Sequence, residues 1–188
     1  MKKILFLGNS FTYYYDLPRQ VEEASLGKLI CHSITRGGAY LNAYRTQTDE
    51  LRIRFDETKA RNEYDYIVLQ EQSLNAIVNF EDFAVSVRHI KSLVGDAKIL
   101  IYQTWSYADG SPLLSSTGLT FDEMTDGLEI AANRVAREIG ADVIPVGRVF
   151  SDAVKSGRTD LYDADCLHPS MAGTKLAVSV FSEYFNKH

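Results

Sequence analysis

A serine hydroxyl becomes a useful nucleophile only when a base takes its proton, and the usual base is a histidine oriented by a third group. Residues of those types stand at the two ends of the chain. Ser10 follows the apolar run Ile4-Leu5-Phe6-Leu7 and then Gly8-Asn9. A continuous apolar run closed by glycine reads as a buried strand that stops abruptly, and in an open α/β sheet the ligand crevice lies beyond the carboxyl ends of the strands. Ser10 is therefore expected where a substrate can reach it. Far downstream, Asp165 and His168 sit three residues apart, just before the helix-patterned segment Met171 to Phe185. One short loop could hold both a base and the carboxylate that orients it. Each half has a plainer reading, a polar turn at Asn9-Ser10 and chance surface residues at Asp165 and His168. The combination, a serine after the first strand and D-x-x-H before the last helix, points to acyl transfer.

At these residues the chain resembles the SGNH (GDSL-like) hydrolases. Gly8-Asn9-Ser10-Phe11-Thr12 is similar to their first block, with Asn9 where many members carry aspartate, and Asp165-Cys166-Leu167-His168-Pro169 is similar to their last. The resemblance runs the length of the chain in order. It implies a three-layer α/β/α domain with Ser10 as nucleophile, His168 as general base and then acid, and Asp165 as its orienter. The second block's glycine corresponds to Gly37 or Gly38 in Thr35-Arg36-Gly37-Gly38-Ala39. The third block, normally glycine-x-asparagine-aspartate, lines up with Gln70-Glu71-Gln72-Ser73 and so departs from the family pattern, placing Gln72 at the asparagine position.

Ester hydrolysis also needs donors for the oxygen that becomes negative in the tetrahedral intermediate. The expected donors are the backbone N–H of Ser10, that of Gly37 or Gly38, and the side-chain amide of Gln72. Gln70 competes with Gln72, because residues two apart share a strand face. Glutamine carries the same donor as asparagine on a longer stem. For substrate contact, Tyr13-Tyr14-Tyr15, Tyr40, Trp105 and Tyr107 could offer flat faces and hydroxyls to a sugar, although aromatics also fill cores. Trp105 and Tyr107 follow a strand end and lead into a long loop, so they are the named substrate-binding expectation. The resemblance adds that many family members remove acetyl groups from carbohydrates. Leu113-Leu114 on the same loop is only a hint of an apolar trough for longer acyl chains.

Several elements must position these residues. After the first strand, Asp16 as N-cap, Pro18 in the first turn and Glu22-Glu23 start a helix that Gly27 could stop. Leu29 to Thr35 gives a second strand closed by Arg36-Gly37-Gly38, where paired glycines can let backbone N–H groups approach a ligand or simply make a turn. Leu41 to Asn62 reads as one helix or two, Tyr64 to Leu69 as a clear third strand, and Phe80 to Val94 as an amphipathic helix in which His89 is a solvated or hydrogen-bonded residue. Ala97 to Trp105 is a fourth strand, and Ser106 to Thr120 is a long loop, either a lid or simply irregular. Phe121 to Ile139 reads as helix, Asp142 to Val146 as a fifth strand and Val149 to Val154 as a helical turn. Strands alternating with helices predict one α/β domain over residues 1–188, with a five-stranded parallel sheet between helical layers in the SGNH or flavodoxin-like manner.

Length and composition bound the rest. The 188 residues, 45% hydrophobic and 24% charged, suit a single globular domain with one substantial core. A net charge of −5 with no cluster of Lys and Arg argues against nucleic-acid partners. Met1-Lys2-Lys3 and the run Ile4 to Leu7 are too short for an export signal and no run could span a bilayer, so a cytoplasmic location with no membrane partner is expected. Of the two cysteines, Cys31 reads as a small buried hydrophobe, while Cys166 beside the D-x-x-H loop is an alternative nucleophile. A competing reading is a flavodoxin-type nucleotide or flavin module whose first loop cradles a phosphate, but it leaves Asp165 and His168 without a task. A metal site at those two residues lacks further ligands nearby. The serine esterase reading uses no cofactor or metal and a small-molecule or carbohydrate ester as its partner.

Overall fold

The computed structural model describes all residues, Met1–His188. Five strands, β1 (Lys2–Gly8), β2 (Leu29–Thr35), β3 (Tyr66–Leu69), β4 (Lys98–Tyr102) and β5 (Asp142–Ile144), pair in parallel in the order β2-β1-β3-β4-β5. Such a sheet must be covered on both faces, which is why its central strands read as unbroken apolar runs. Period-two alternation divides those runs between two cores. Leu5, Leu7, Ile67, Leu69, Ile99 and Ile101 face α3 (Glu50–Arg61), α5 (Phe80–Leu93) and α7 (Phe121–Ile139). Ile4, Phe6, Val68, Leu100 and Tyr102 face α2 (Leu17–Ala24), α8 (Val146–Lys155) and α9 (Met171–Lys187). A side chain such as Phe6, fully buried, contributes about 1.5–3 kcal/mol through burial alone. The three-layer α/β/α architecture is thus the one expected.

The order of strands fixes where a site can form. From β1 the chain moves to one side to build β2 and then crosses to the other side to build β3. The connections leaving β1 and β3 diverge, and a crevice opens between their carboxyl ends. The short helices α1 (Ser10–Tyr13) and α4 (Ser73–Val78) begin at those two ends. A third short helix, α6 (Pro112–Ser115), lies in the connection after β4.

Three expected features differ in detail. Asp16 stands at the N-cap of α2 but has φ 54° and its side chain makes no capping bond. The Ser106–Thr120 segment holds α6, and Ser106, Tyr107, Ser111 and Leu114 are buried, so it is packed chain rather than a loose lid, and Leu114 joins the core rather than a trough. The helical turn after β5 is the longer α8, with Pro145 at its N-cap position and Gly147 in its first turn, where a Cβ would lie 1.9 Å from the Thr104 carbonyl oxygen. No helix is long and apolar enough to cross a membrane.

Candidate active site

β1 ends at Gly8 because nothing larger fits. A Cβ there would lie 2.5 Å from Gln70 Oε1 and 2.7 Å from Thr12 Oγ1. The next residue, Asn9, caps α1: its Oδ1 accepts the Phe11 N–H at 3.1 Å, and its Nδ2 donates to the Ala39 carbonyl at 2.9 Å. Gln70, leaving β3, completes the frame. Its Oε1 accepts the Asn9 N–H at 2.8 Å and the Thr12 hydroxyl at 2.9 Å, while its Nε2 donates to the Glu71 carbonyl at 2.7 Å. Ser10 is consequently held at the first helical position over the crevice.

The last helix delivers the other partners. Ser170 caps α9 by accepting the N–H groups of Ala172 and Gly173, each at 3.1 Å, which fixes the helix start three residues beyond His168. Asp165 Oδ1 accepts the N–H of Leu167 at 3.0 Å and of His168 at 2.9 Å, folding the loop so that Oδ2 meets His168 Nδ1 at 2.5 Å. His168 Nε2 lies 2.7 Å from Ser10 Oγ. An ionised carboxylate can only accept, so Nδ1 carries the proton and Nε2 is left to accept from the serine. Burial pushes the Asp165 carboxyl up, but the hydrogen bonds from the His168 ring and from the N–H groups of His168 and Leu167 outweigh it and hold it below the ordinary range. The imidazole also stacks on Tyr14, centroids 4.1 Å apart and planes 6° from parallel, with Phe11 at 5.6 Å.

Trp105 requires a correction. It is 1% exposed, stacked on Phe150 at 4.5 Å and edge-on to Phe11, so it cannot be a platform for substrate. Its Nε1 donates instead to the Leu167 carbonyl at 3.2 Å, and the Ala108 N–H donates to the Cys166 carbonyl at 2.9 Å, so the segment after β4 braces the Asp165–His168 loop from below. Tyr107 is 5% exposed and is corrected likewise: its hydroxyl accepts from Gln72 Nε2 at 3.3 Å, so it supports a neighbour. Cys166 has φ 62° and its thiol approaches only the Ala164 carbonyl, whereas the histidine is bonded to Ser10. Cys31 is half-buried with its thiol pushed up to about 12 by burial, as a packing residue would be.

The expected oxyanion donors can now be sorted. Gln70 is removed, since it is fully buried beneath the Ser10 turn that its amide frames, whereas Gln72 is partly exposed. Gln72 remains: its Oε1 caps α4 by accepting the Asn75 N–H at 2.9 Å, which fixes the amide and leaves one of its two N–H donors free beside Tyr107. Arg36 to Ala39 forms a turn closed by the Ala39 N–H on the Arg36 carbonyl at 3.1 Å, with Gly38 at φ +67° where L side chains are strained. Neither Gly37 nor Gly38 donates its N–H to any acceptor within the protein. As the first residue of α1, Ser10 has no intrahelical acceptor for its own N–H. The Asn9 and Gln70 bonds tie all three segments to one place.

Sequence reasoning singled out neither Tyr14 as the support of His168 nor Tyr44 and Glu71 as parts of the frame. Tyr14 carried a signal, since it lies four residues after Ser10 and so on the same helical face. Tyr44, whose hydroxyl donates to the Ile34 carbonyl at 2.6 Å and accepts the Gly8 N–H at 3.1 Å, is separated from both by chain length no local pattern spans.

No known protein-family profile and no curated protein matches the chain in sequence. Among solved structures, a candidate SGNH hydrolase from Slackia heliotrinireducens superposes with a TM-score of 0.87 at 29% identity, covering 98% of this chain and 98% of that one. The chain belongs to the SGNH-like hydrolase superfamily. A DUF4886 family protein from Bacteroides uniformis has a TM-score of 0.80 at 20% identity, over 100% of this chain and 83% of that one. An acetylxylan esterase from Geobacillus stearothermophilus has a TM-score of 0.67 at 15% identity, over 97% and 93%.

Proposed function

We propose that this SGNH-like hydrolase is a serine esterase that cleaves short-chain acyl esters, acetyl esters foremost, of small-molecule or carbohydrate alcohols. The observation that carries the reading is the unbroken hydrogen-bonded line from Ser10 Oγ to His168 Nε2 and from His168 Nδ1 to Asp165. As Ser10 Oγ attacks the ester carbonyl, Nε2 takes its proton, and the imidazolium formed is stabilised by the Asp165 carboxylate and by the π-face of Tyr14. The carbonyl oxygen, now negative, is received by the N–H of Ser10, the free N–H groups of the Gly37-Gly38 turn and the Gln72 amide. His168 then returns the proton to the departing alcohol, and water repeats the sequence on the acyl-enzyme.

The side chains that frame Ser10, Asn9, Thr12 and Gln70, are buried and polar, which suits a small acyl group better than a long apolar one. Tyr13, Tyr15 and Tyr40, 41%, 41% and 43% exposed, remain as aromatic faces for a sugar, and the Tyr13 hydroxyl lies beside Gly37. The fold shared with an acetylxylan esterase supports the same substrate class. A nucleotide-binding reading would need the Ser10 hydroxyl for a phosphate, and it is directed at His168.

The test is p-nitrophenyl acetate hydrolysis by wild type, Ser10→Ala and His168→Ala, followed by longer acyl esters and acetylated xylo-oligosaccharides. Wild type alone should turn over, with activity falling as the acyl chain lengthens. The two losses should not add, because the groups act as a unit. Full activity in either variant would sink the assignment.

A further inference from the structure

Glu71 is a carboxylic acid the proposed chemistry does not use, yet it is 4% exposed in the middle of the site's frame. Its two oxygens accept from two different segments. Oε1 takes the N–H of Gln72 at 2.7 Å, and Oε2 takes the N–H of Leu41 at 3.1 Å, immediately after the Arg36–Tyr40 loop. The first segment holds the Gln72 amide and the second follows the Gly37-Gly38 turn, while the remaining proposed donor, the Ser10 N–H, sits on α1. Resting on the esterase reading, we propose that Glu71 is a positioning residue: its carboxylate clamps the Gly37-Gly38 loop to Gln72 and so sets the spacing of the oxyanion donors.

The clamp has the required physical character. A carboxylate accepting backbone N–H groups makes charge-assisted bonds, shorter and stronger than neutral ones, and a single rigid planar group fixes the distance between its two donors. Two N–H groups from loops not otherwise paired with each other are thereby held across the switch point of the sheet. The Gly37-Gly38 loop is also tied to Asn9 through Ala39, so Glu71 closes a ring that runs from Ser10's neighbour to Gln72. The charged group facing it is Asp82 of α5, which Arg45 and Asn42 in turn bind, and the Asn75 amide nitrogen, which has no other partner, faces it from α4. Burial, with a smaller push from Asp82, carries the Glu71 carboxyl up to about 7 against the lowering effect of the two N–H bonds and of the Asn75 amide. The clamp can therefore be titrated in an accessible range.

Two measurements test this. In wild-type protein followed by two-dimensional NMR, the amide protons of Leu41 and Gln72 should shift with one common midpoint near neutrality. Separate midpoints, or a midpoint at one amide without the other, would overturn the clamp, and this readout needs neither a variant nor activity. In p-nitrophenyl acetate hydrolysis, Glu71→Gln, which can accept at only one position, should lower kcat about 10-fold with KM little changed. Against a Gln72→Ala background the same change should cost far less, since the donor it positions is already gone. Full kcat in Glu71→Gln, or losses that simply add, would refute the positioning role. If wild type hydrolyses no ester, the esterase reading fails while the NMR result still decides whether the carboxylate joins the two loops.

Discussion

Asp165→Asn is predicted to be more damaging than Asp165→Ala, although it is the smaller chemical change. Oδ1 of Asp165 accepts two backbone N–H groups, from Leu167 and His168, and Oδ2 accepts from the His168 ring. An asparagine in this position must keep its only oxygen where the two N–H groups converge, which turns its NH2 toward His168 Nδ1. That nitrogen must then accept, so the proton moves to Nε2, and Nε2 can no longer take a proton from Ser10. The loss expected for a well-placed but wrong tautomer is about 10⁴-fold in kcat, or about 5.5 kcal/mol. Alanine releases the ring to either tautomer while Tyr14 still supports its face, so the loss should be about 100- to 1,000-fold. Thermal stability should rank the other way, because asparagine retains both loop bonds and alanine loses them, at about 1 kcal/mol or less each in this exposed loop. The assay is kcat for p-nitrophenyl acetate alongside a melting curve for each variant. An Asp165→Asn enzyme within about 10-fold of wild type would refute the tautomer reasoning.

Two further expectations concern residues around this pair. Tyr14→Leu should lower kcat by about 5- to 30-fold, from about 1–2 kcal/mol of lost interaction between the aromatic face and the imidazolium, and Tyr14→Phe should restore it; equal losses in both variants would mean the hydroxyl matters rather than the ring. Glu71 should make stability depend on pH in the sense opposite to an ordinary ion-paired carboxylate. Its folded value of about 7 is raised above that of the unfolded chain, so its contribution is fully present below the ordinary Glu range and is lost as pH rises through 7. Denaturation at about pH 5.5 and about pH 8.5 should show wild type losing about 2 kcal/mol relative to Glu71→Gln on the way up. A difference between the two proteins that is constant with pH would remove the raised carboxyl from the account.

The sequence by itself determined the architecture and both ends of the site. Ile4 to Leu7 could only be a strand covered on two faces, the alternation of strand and helix patterns could only give a parallel sheet, and the glycine that stops β1 put Ser10 at its carboxyl end. The D-x-x-H spacing likewise kept Asp165 and His168 within reach of one another, because three residues of loop cannot separate them far. What joins the two ends is tertiary. The 2.7 Å contact of Ser10 with His168 spans nearly the whole chain and depends on α9 packing against α2 and on Trp105 bracing the loop from the core.

Only the folded chain could assign the glutamines and aromatics. Gln70 and Gln72 share a parity, so pattern could not separate them; the strand ends at Leu69, Gln70 turns beneath Asn9, and Gln72 becomes a helix cap with a donor to spare. Trp105 and Tyr107 follow β4 where substrate contact was expected, yet the chain folds back and buries them, because large aromatic surfaces contribute more when removed from water than when left at a crevice rim. Glu71 shows the same limit most plainly. Acidic side chains are seldom buried, so nothing in its neighbourhood of sequence marks it, and its partner at Leu41 lies thirty positions away.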